Sequence, residues 1–358
     1  MRISKSERLT KATLPEFQAA SLSGPGCRVR ISEPYAITRI LRVKQSYCGW
    51  TLLRFFSERF PWRESDHWKE KILRGYIRVQ DEQVAPDFIL QNGHLIQHDS
   101  EGVTEPSVPD HVKVIQESEE WVVVSKPAPL PVHAGGRYFR NTLLTILQER
   151  GYGELYPLHR LDAVTQGLIC LAKKEESVPI LSRWLRSESS KKVYYAHVNG
   201  VPSESFTDIH TPIRRKQGFV FESVPELAEE MLPDMLLASD QAEIEGTEPV
   251  ISEVSTSRPL TGRSALKKAH TRIEVVKLLQ HSAIVRCIPI TGRTHQLRIH
   301  LRDWGYPIVD DPIYGPEGND SGEVLQNRAI SLLSARIEVP EAGINAELPI
   351  PEEWIIDV

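Results

Sequence analysis

Apolar residues at helical spacing predict two short helices within the first hundred residues. In GWTLLRFFSERF the apolar positions between residues 52 and 60 share one face, and Pro61 ends the helix. In ESDHWKEKILRG either Ser65 or Asp66 is the expected N-cap, and Gly75 lies just past the end. Alternating apolar positions predict a strand in YIRVQDEQV, and the Asn-Gly pair of ILQNGHLIQH predicts a hairpin. This segment is therefore predicted to be a small α+β module.

Strands and helices are predicted to alternate in a longer second part of the chain. VKVIQESEEWVVVSK indicates two strands, and KKVYYAHVNG indicates a further strand. NTLLTILQERG and VPILSRWLRSES indicate helices, the first capped by Asn141 or Thr142 and stopped by Gly151. LHRLDAVTQGLICLAKK begins with a charged cluster and a turn, and it continues as an apolar run typical of a buried strand. GRTHQLRIHL predicts a strand or loop that passes into a helix with a polar face.

The 358 residues exceed the size at which a single core stops growing, roughly 250–300 residues, so we expect more than one domain. Residues 1–38 lack periodicity and are predicted to be an irregular extension, with the small module at 39–99. A polar, proline-bearing linker is predicted at 100–111, followed by the main domain at 112–358. Within it, Glu222 to Glu253 contains many acidic residues and no Lys or Arg, which predicts an acidic surface insertion at about 219–264.

The composition is that of an ordinary globular protein, with 40% hydrophobic and 25% charged residues. A net charge of -5 argues against a simple polycationic nucleic-acid binder, although local basic surfaces remain compatible with it. The N-terminal segment has no hydrophobic core, and Glu7 and Glu16 weaken an organelle transit signal. We therefore expect a cytoplasmic monomer that does not cross a membrane. The cysteines are scattered without a C-x-x-C pair, which predicts reduced thiols: Cys27, Cys48, Cys170 and Cys287.

Two places in the sequence carry candidate chemistry that has a simpler alternative. Arg160 and Asp162 stand two residues apart before the apolar strand, and a polar turn in which Asp162 bonds its own downstream amides would account for them. His295 and His300 could suggest a metal site. They are five residues apart, with no carboxylate or Cys at ligand spacing, so no metal is predicted there.

Several segments, taken together and in this order, resemble the RluA-type RNA pseudouridine synthases. They are LHRLDAVTQGLICLAKK, KKVYYAHVNG, TGRTHQLRIHL with GYPIVDDPIYG, and SKPAPLPVHAGG with NTLL. The resemblance covers about residues 112–350. It implies an α+β pseudouridine synthase fold, a mixed and largely antiparallel sheet with a central active-site cleft and flanking helices. It also implies an isomerase that converts uridine to pseudouridine in ribosomal or transfer RNA without a cofactor.

By this resemblance, Asp162 of the H-R-L-D turn is the catalytic nucleophile. The reaction breaks the N1–C1′ bond, rotates the base and joins C5 to C1′, so nothing is oxidised or reduced. A carboxylate near C1′ and C2′ can attack the sugar or remove a proton, as carboxylates do in glycosyl chemistry. Both the ester route and the glycal route are compatible with the sequence.

The resemblance also implies roles for residues around the aspartate. Arg298 is expected to pair with it and to keep it ionised, because a nearby opposite charge lowers the pKa of a carboxyl group. Tyr194 is expected to stack on the target base, and Arg160 to enter the gap left by the flipped nucleotide. Arg293 and His295 are expected to contact RNA or to support the loop that carries them.

The small module resembles the RNA-binding domain named after ribosomal protein S-four. Its expected contact face consists of basic side chains from the second helix and the turn after it, and the alternative is a plain structural cap. No DNA or membrane partner is expected. The contact residues are Arg63, Lys69, Lys71, Arg74 and Arg78.

Other functions fit these residues less well, and the sequence departs from the family pattern at a few positions. A noncatalytic RNA-binding or assembly protein on the same fold is disfavoured because the Asp, Tyr and Arg of the site are all present. A nucleoside hydrolase would need a second catalytic carboxylate, which no motif supplies. Gln166, Asp310 and Ser334 replace the usual Ser, Gly and His, and these changes bear on the target rather than on the activity.

Overall fold

The computed structural model describes residues 19–21, 28–61, 63–217, 220–227, 266–316, 318 and 328–355. The chain forms two compact units, the smaller one at Ile31–Glu105. The larger unit contains the described residues of Ala19–Arg30 and those from Pro106 onward. It begins with two short antiparallel strands, β1 (Ala19–Ser21) and β2 (Arg28–Arg30). Apart from 220–227, the predicted acidic insertion lies outside the described residues.

The smaller unit packs two helices beside a three-stranded sheet of order β3-β5-β4. Its elements are β3 (Tyr35–Arg42), α1 (Leu52–Arg59), α2 (Ser65–Leu73), β4 (Ile77–Val79) and β5 (Leu95–Val103). The buried face of α1 joins Trp68 and Ile72 of α2 in one aromatic-rich core. Helical spacing of the apolar positions thus predicted both helices, because the same face of each is buried.

Two local predictions for this unit differ from the structure. Helix α2 has Glu64 at its N-cap without a side-chain hydrogen bond, so neither Ser65 nor Asp66 caps it. The Asn-Gly turn is present, but Gly93 donates its N–H to Val43 (2.9 Å), and the residues before the turn form no hairpin partner for β5. β5 pairs instead with the preceding strand β4 and with β3, which is some sixty residues earlier in the sequence.

The segment predicted as a linker, 100–111, is largely held by secondary structure. β5 continues to Val103, which pairs with Tyr35 of β3. Strand β6 (Val108–Pro109) then pairs with β2, and Asp110 forms an ion pair of 2.9 Å with Arg150. The polar composition of this segment suggested a linker. It did not reveal the strand pairing, because β2 and β3, with which the segment pairs, are far away in the sequence.

The larger unit is built on a ten-stranded sheet of order β12-β15-β16-β11-β17-β10-β8-β7, with β18 beside β17 and β9 beside β10. All pairings are antiparallel except β10 with β17, so the predicted mixed, largely antiparallel sheet is confirmed. The strands are β7 (Lys113–Glu117), β8 (Trp121–Lys126), β9 (Tyr156–Pro157), β10 (Gln166–Ala172), β11 (Lys191–Asn199), β12 (Phe206–Ile209), β15 (Thr271–Leu278), β16 (Ser282–Pro289), β17 (Leu332–Val339) and β18 (Ile344–Glu347). A separate hairpin consists of β13 (Ile213–Gln217) and β14 (Val220–Ser223).

Among the residues that the structure describes, three α-helices flank this sheet, α3 (Leu143–Leu147), α4 (Val178–Leu185) and α5 (Gln296–Asp303). Of the two N-cap candidates for α3, Thr142 is the cap, because its side chain accepts from Thr145 N. The chain then widens into a π-helical turn at Gln148–Tyr152. No helix among the described residues is long and apolar enough to span a bilayer.

The apolar run of β10 is buried on both faces, which explains why its residues do not alternate with polar ones. Ile169 and Leu171 pack on the side that contains α3, and Leu168 and Cys170 pack on the side that contains α4. Two separate clusters therefore fix the strand that follows the H-R-L-D turn. Because β10 is held on both faces, the H-R-L-D turn before it also has a fixed position in the larger unit.

Candidate active site

The H-R-L-D turn alternates between inward and outward side chains. His159 Nε2 accepts from the backbone N–H of Cys170 (3.0 Å), and Leu161 is part of the core. Burial lowers the pKa of His159 to about 3, so this imidazole is neutral and serves as an acceptor. Arg160 and Asp162 line a cleft instead. The two-residue spacing thus places one cation and one carboxylate in the same cleft.

The polar-turn alternative accounts for the backbone of Asp162 but not for its side chain. Thr165 N donates to the backbone carbonyl of Asp162 (3.1 Å) and closes the turn. Among the described residues, the hydrogen-bond partner of the carboxylate is Arg298, at 3.5 Å from Nη1 to Oδ2. The side chain is therefore directed at a cation and not at the amides of its own turn.

A buried lysine holds the turn in place. Lys126 at the end of β8 is fully buried, and its Nζ donates to the carbonyls of Pro127, Leu130 and Ala163 at 2.8–3.2 Å. These three bonds use all three N–H groups of an ammonium. Because Ala163 directly follows Asp162, Lys126 fixes the backbone that carries the carboxylate. The sequence showed the lysine-proline strand as part of the family resemblance, without a role for the lysine.

Arg298 is held rigidly by a second carboxylate that sequence reasoning missed. Its Nε and Nη2 donate to Oδ2 and Oδ1 of Asp311 at 2.7 and 2.8 Å. Asp311 Oδ1 also accepts from the backbone N–H groups of Ile313 and Tyr314, both at 3.0 Å. The ion pair with Asp311 outweighs burial and raises the pKa of Arg298, so the guanidinium stays charged. The segment VDDPIYG contains Asp311 as its second aspartate, but the sequence does not show that the partner of this aspartate is Arg298 of helix α5.

His295 approaches the same carboxylate from another side. Its Nε2 lies 3.7 Å from Asp162 Oδ2, and its Nδ1 lies 2.9 Å from the hydroxyl of Tyr314. That hydroxyl accepts from the backbone N–H of Phe221 (3.0 Å). Burial lowers the pKa of His295 to about 4, so the ring is uncharged near neutral pH. The Tyr314 hydroxyl can also donate to Phe221 O (3.2 Å), and in that case His295 Nδ1–H is the donor to the hydroxyl and Nε2 carries no hydrogen.

The electrostatic surroundings favour an ionised Asp162. Burial raises the pKa of this carboxyl group, but His295, Arg298 and Arg160 lower it more, and the net pKa lies below its ordinary value. Since the imidazole is neutral near pH 7, the permanent positive charges are the two arginines. The carboxylate is therefore available as a nucleophile or base at neutral pH.

Tyr194 and Tyr195 face opposite sides of β11, as expected for adjacent strand residues. Tyr194 lines the cleft with Asp162, and its hydroxyl is hydrogen-bonded to the side chain of Ser334. Burial raises the pKa of Tyr194 to about 12, so the phenol remains neutral. Tyr195 packs beside Trp354 in another cluster. The cleft thus has one aromatic ring available beside the carboxylate.

The structure brings together six of the predicted site residues and leaves five in the smaller unit. Those lining the cleft are Arg160, Asp162, Tyr194, Arg293, His295 and Arg298. Those in the smaller unit are Arg63, Lys69, Lys71, Arg74 and Arg78. His300 has both ring nitrogens hydrogen-bonded, to Thr271 Oγ1 and Thr211 O at 2.9 Å, so it does not form a metal pair with His295.

Comparison with known proteins identifies the family. The model of the family described as RNA pseudouridylate synthase matches residues 120–303, which is more than half of the chain. RNA pseudouridine synthase 7 of Arabidopsis thaliana is 29% identical over 309 residues, covering 86% of this chain and 71% of that protein. In Saccharomyces cerevisiae, the mitochondrial tRNA pseudouridine(32) synthase is 30% identical (86% of this chain, 60% of that protein). The tRNA pseudouridine(31) synthase of the same yeast is 29% identical (80% and 72%). This chain belongs to the RNA pseudouridylate synthase family, whose members isomerise uridine to pseudouridine.

Proposed function

We propose that Asp162 is the residue with which this enzyme isomerises uridine to pseudouridine in RNA. The observation that carries the proposal is a cleft carboxylate whose pKa is held below its ordinary value beside Arg298 and Arg160. In the reaction the N1–C1′ bond breaks, a C5–C1′ bond forms, and the hydrogen on C5 leaves as a proton while N1 gains one. Attack at C1′ and proton removal at C2′ both require the ionised carboxylate.

The other cleft residues have distinct roles in this proposal. Tyr194 stacks on the uracil and holds it while the glycosidic bond is broken, since the base must rotate without leaving. Arg160 fills the space of the extruded nucleotide, because the uridine must leave its stack to reach the carboxylate. Arg298 orients Asp162 and keeps it charged. Arg293, whose Nε is bonded to Lys268 O at 2.8 Å, supports the rim of the cleft.

Transfer RNA is the substrate class that we propose to test first, with ribosomal RNA as the other class. The names of the two yeast relatives specify tRNA, at positions 32 and 31. A pseudouridine map of cells that lack this protein, complemented with the wild type or with Asp162→Asn, tests both the substrate and the residue. We expect specific sites to disappear and to return only with the wild type. Sites that return with Asp162→Asn contradict the proposed role of the carboxylate.

We also propose that the smaller unit binds RNA, as its resemblance to the RNA-binding domain named after ribosomal protein S-four suggests. Two of its basic residues are paired, Arg74 with Glu70 and Arg78 with Asp99, both at 2.8 Å. The remaining three, Arg63, Lys69 and Lys71, form no ion pair with any described residue.

The electrostatics of this face support the same proposal. The pKa of Lys71 is lowered by burial and then by Arg39, a cation on β3 that sequence reasoning did not include. Burial, Lys71 and Arg39 also lower the pKa of His98 to about 4. Lys71 and Arg39 are therefore neighbouring cations, with the carboxylates of Glu101 and Asp99 nearby, and a pair of close cations suits phosphate binding.

RNA binding by the smaller unit is tested better by removing the charges of its basic side chains than by truncating the N-terminal segment. Deleting the N-terminal segment would also remove Arg30, which is bonded to Asn141 and Glu149 of the larger unit. The triple variant Arg63→Gln, Lys69→Gln and Lys71→Gln should raise KM and flatten the salt dependence by roughly 0.7–0.9 per lost phosphate contact. Turnover at saturating RNA should change little. An unchanged salt slope would identify the unit as a structural cap.

A further inference from the structure

A second group of ionisable side chains lies at the edge strand β12 of the larger sheet and at the start of its neighbour β15. Asp208 of β12 and His210, two residues later, point to the same face, because side chains of a strand alternate. β12 pairs antiparallel with β15, with Ile209 opposite Thr271, and this register brings His270 opposite His210. His270 on the neighbouring strand therefore lies beside Asp208 and His210 of the Asp-x-His pattern.

The potential ligand atoms of these three side chains converge. One carboxylate oxygen and one nitrogen of each ring all lie within 4.8 Å of one another. Asp208 Oδ1 is 2.5 Å from His270 Nε2 and 3.6 Å from His210 Nε2. The two imidazole rings are stacked with their centroids 3.9 Å apart and their planes at 23°.

Hydrogen bonding within the described residues leaves His210 without a partner. Its Nδ1 is buried and unbonded, and its Nε2 is too far from Asp208 for a hydrogen bond. A cation between the rings and the carboxylate would engage the unbonded Nε2 of His210.

We propose that Asp208, His210 and His270 form a binding site for a zinc ion. Two imidazole nitrogens and one carboxylate oxygen are a ligand set that zinc uses, with the fourth position left to water. Tetrahedral zinc with bonds of about 2.0–2.1 Å separates neighbouring ligands by roughly 3.3 Å. The two carboxylate–imidazole separations, 2.5 and 3.6 Å, lie on either side of that value, so binding requires the side chains to adjust.

The surroundings of the three ligands fit this arrangement. Arg272 Nε lies 3.8 Å from Asp208 Oδ2, whereas the short distances to the histidines involve Oδ1. It therefore leaves Oδ1 for the ion and orients the carboxylate, as outer partners of metal ligands commonly do. The positive charge of Arg272 opposes a cation nearby, so the site is expected to bind zinc less tightly than a cysteine-based structural site.

The backbone of His270 connects this site to the catalytic loop. Its carbonyl accepts from the N–H of Ile290 (3.0 Å) and from Gln296 Nε2 (2.9 Å). Gln296 Oε1 in turn accepts from Arg293 N at 2.9 Å. Zinc at this site would therefore stiffen the backbone that precedes His295, without taking part in the isomerisation.

Zinc titration of the full-length, tag-free, chelator-treated chain tests the site. We expect one equivalent of Zn²⁺ to bind, and Asp208→Asn and His210→Gln each to raise the Kd by tenfold or more. His281→Gln, which alters an exposed histidine outside the group, is the matched control and should bind like the wild type. Binding by either ligand variant that equals the wild type would overturn the proposal, as would failure of the wild type to bind.

Cobalt spectroscopy of the wild type provides a second measurement that needs no variant. Co²⁺ bound by two imidazoles, a carboxylate and water gives intense visible ligand-field bands when it is four-coordinate, and Zn²⁺ should abolish them by competition. Weak bands typical of six-coordinate, aquated Co²⁺ would contradict the site. This readout is independent of pseudouridine formation, so its failure leaves the proposed role of Asp162 intact.

Discussion

Replacing Asp311 by Asn separates the positioning of Arg298 from its charge. The two side chains are 0% and 3% exposed, and two short hydrogen bonds join them. Asn keeps Oδ1 for the backbone amides of Ile313 and Tyr314, but its NH₂ group would face the N–H groups of Arg298. A buried guanidinium thus loses its counter-ion and gains a repulsive neighbour.

The size of the effect follows from the burial of this pair. Removing one partner of a buried ion pair costs about 3–5 kcal/mol of unfolding free energy, because the other charge remains uncompensated. At about 2–4 °C per kcal/mol for a unit of this size, the midpoint of thermal unfolding should fall by roughly 6–20 °C. Activity should fall as well, since Arg298 is no longer held toward Asp162.

Urea unfolding followed by hydrogen exchange measures this change specifically in the larger unit. Peptides from β10 and β17 report on it, whereas signals from the whole chain would mix both units. The double variant Arg298→Met with Asp311→Asn removes both charges and should recover more than about 1 kcal/mol, yet remain inactive. A loss below about 1 kcal/mol for Asp311→Asn would refute the buried-pair argument, as would a double variant no more stable than the single one.

Three further predictions concern the cleft and the strand beside it. Gly167→Ala should destabilise the larger unit by about 3 kcal/mol or more in urea unfolding. The reason is that Gly167 has a φ of +113° and that an added Cβ would lie 2.3 Å from Ser334 O. An Ala variant as stable as the wild type would contradict this close approach. Arg298→Gln should raise the pKa of Asp162, so the acid limb of the pH profile of kcat/KM should move to higher pH. If the acid limb stays in place, Arg298 is not the cause of the low pKa of Asp162. Tyr194→Phe should retain most activity in a single-turnover assay, while Tyr194→Ala should lose about 1–3 kcal/mol of stacking; equal activity of the two would argue against stacking.

Local patterns predicted the elements whose partners are near in sequence. The helices α1 and α2 followed from apolar spacing, and β10 followed from an apolar run that is covered on both faces. The pairing of β5 with β3 did not follow, because the Asn-Gly turn suggested a partner immediately before it, whereas β3 is some sixty residues away. Register and partner choice depend on burial across the sheet, which the local pattern does not contain.

The same distinction holds for the site residues. Arg160 and Asp162 could be found because both lie in one short motif. Asp311 and the partner of Asp208, His270, could not be found, since only the folded sheet brings them to Arg298 and His210. Asp310 has a φ of +64°, a conformation that favours glycine and that aspartate tolerates, which fits the glycine that the family resemblance implies at this position.

The most direct test of the account is release of tritium from RNA that carries [5-³H]uridine. Isomerisation replaces the C5–H bond by C5–C1′, so each pseudouridine formed releases one hydrogen from C5 to water. Total tRNA and ribosomal RNA from cells that lack this protein, labelled in this way, serve as substrate for the wild type and for Asp162→Asn. Arg298 keeps Asp311 as its partner in the variant, so the variant should stay folded and still bind RNA. We predict stoichiometric tritium release and pseudouridine with the wild type, and neither with Asp162→Asn. Undiminished release by Asp162→Asn, or free uracil in place of pseudouridine from the wild type, would contradict the central role of this carboxylate.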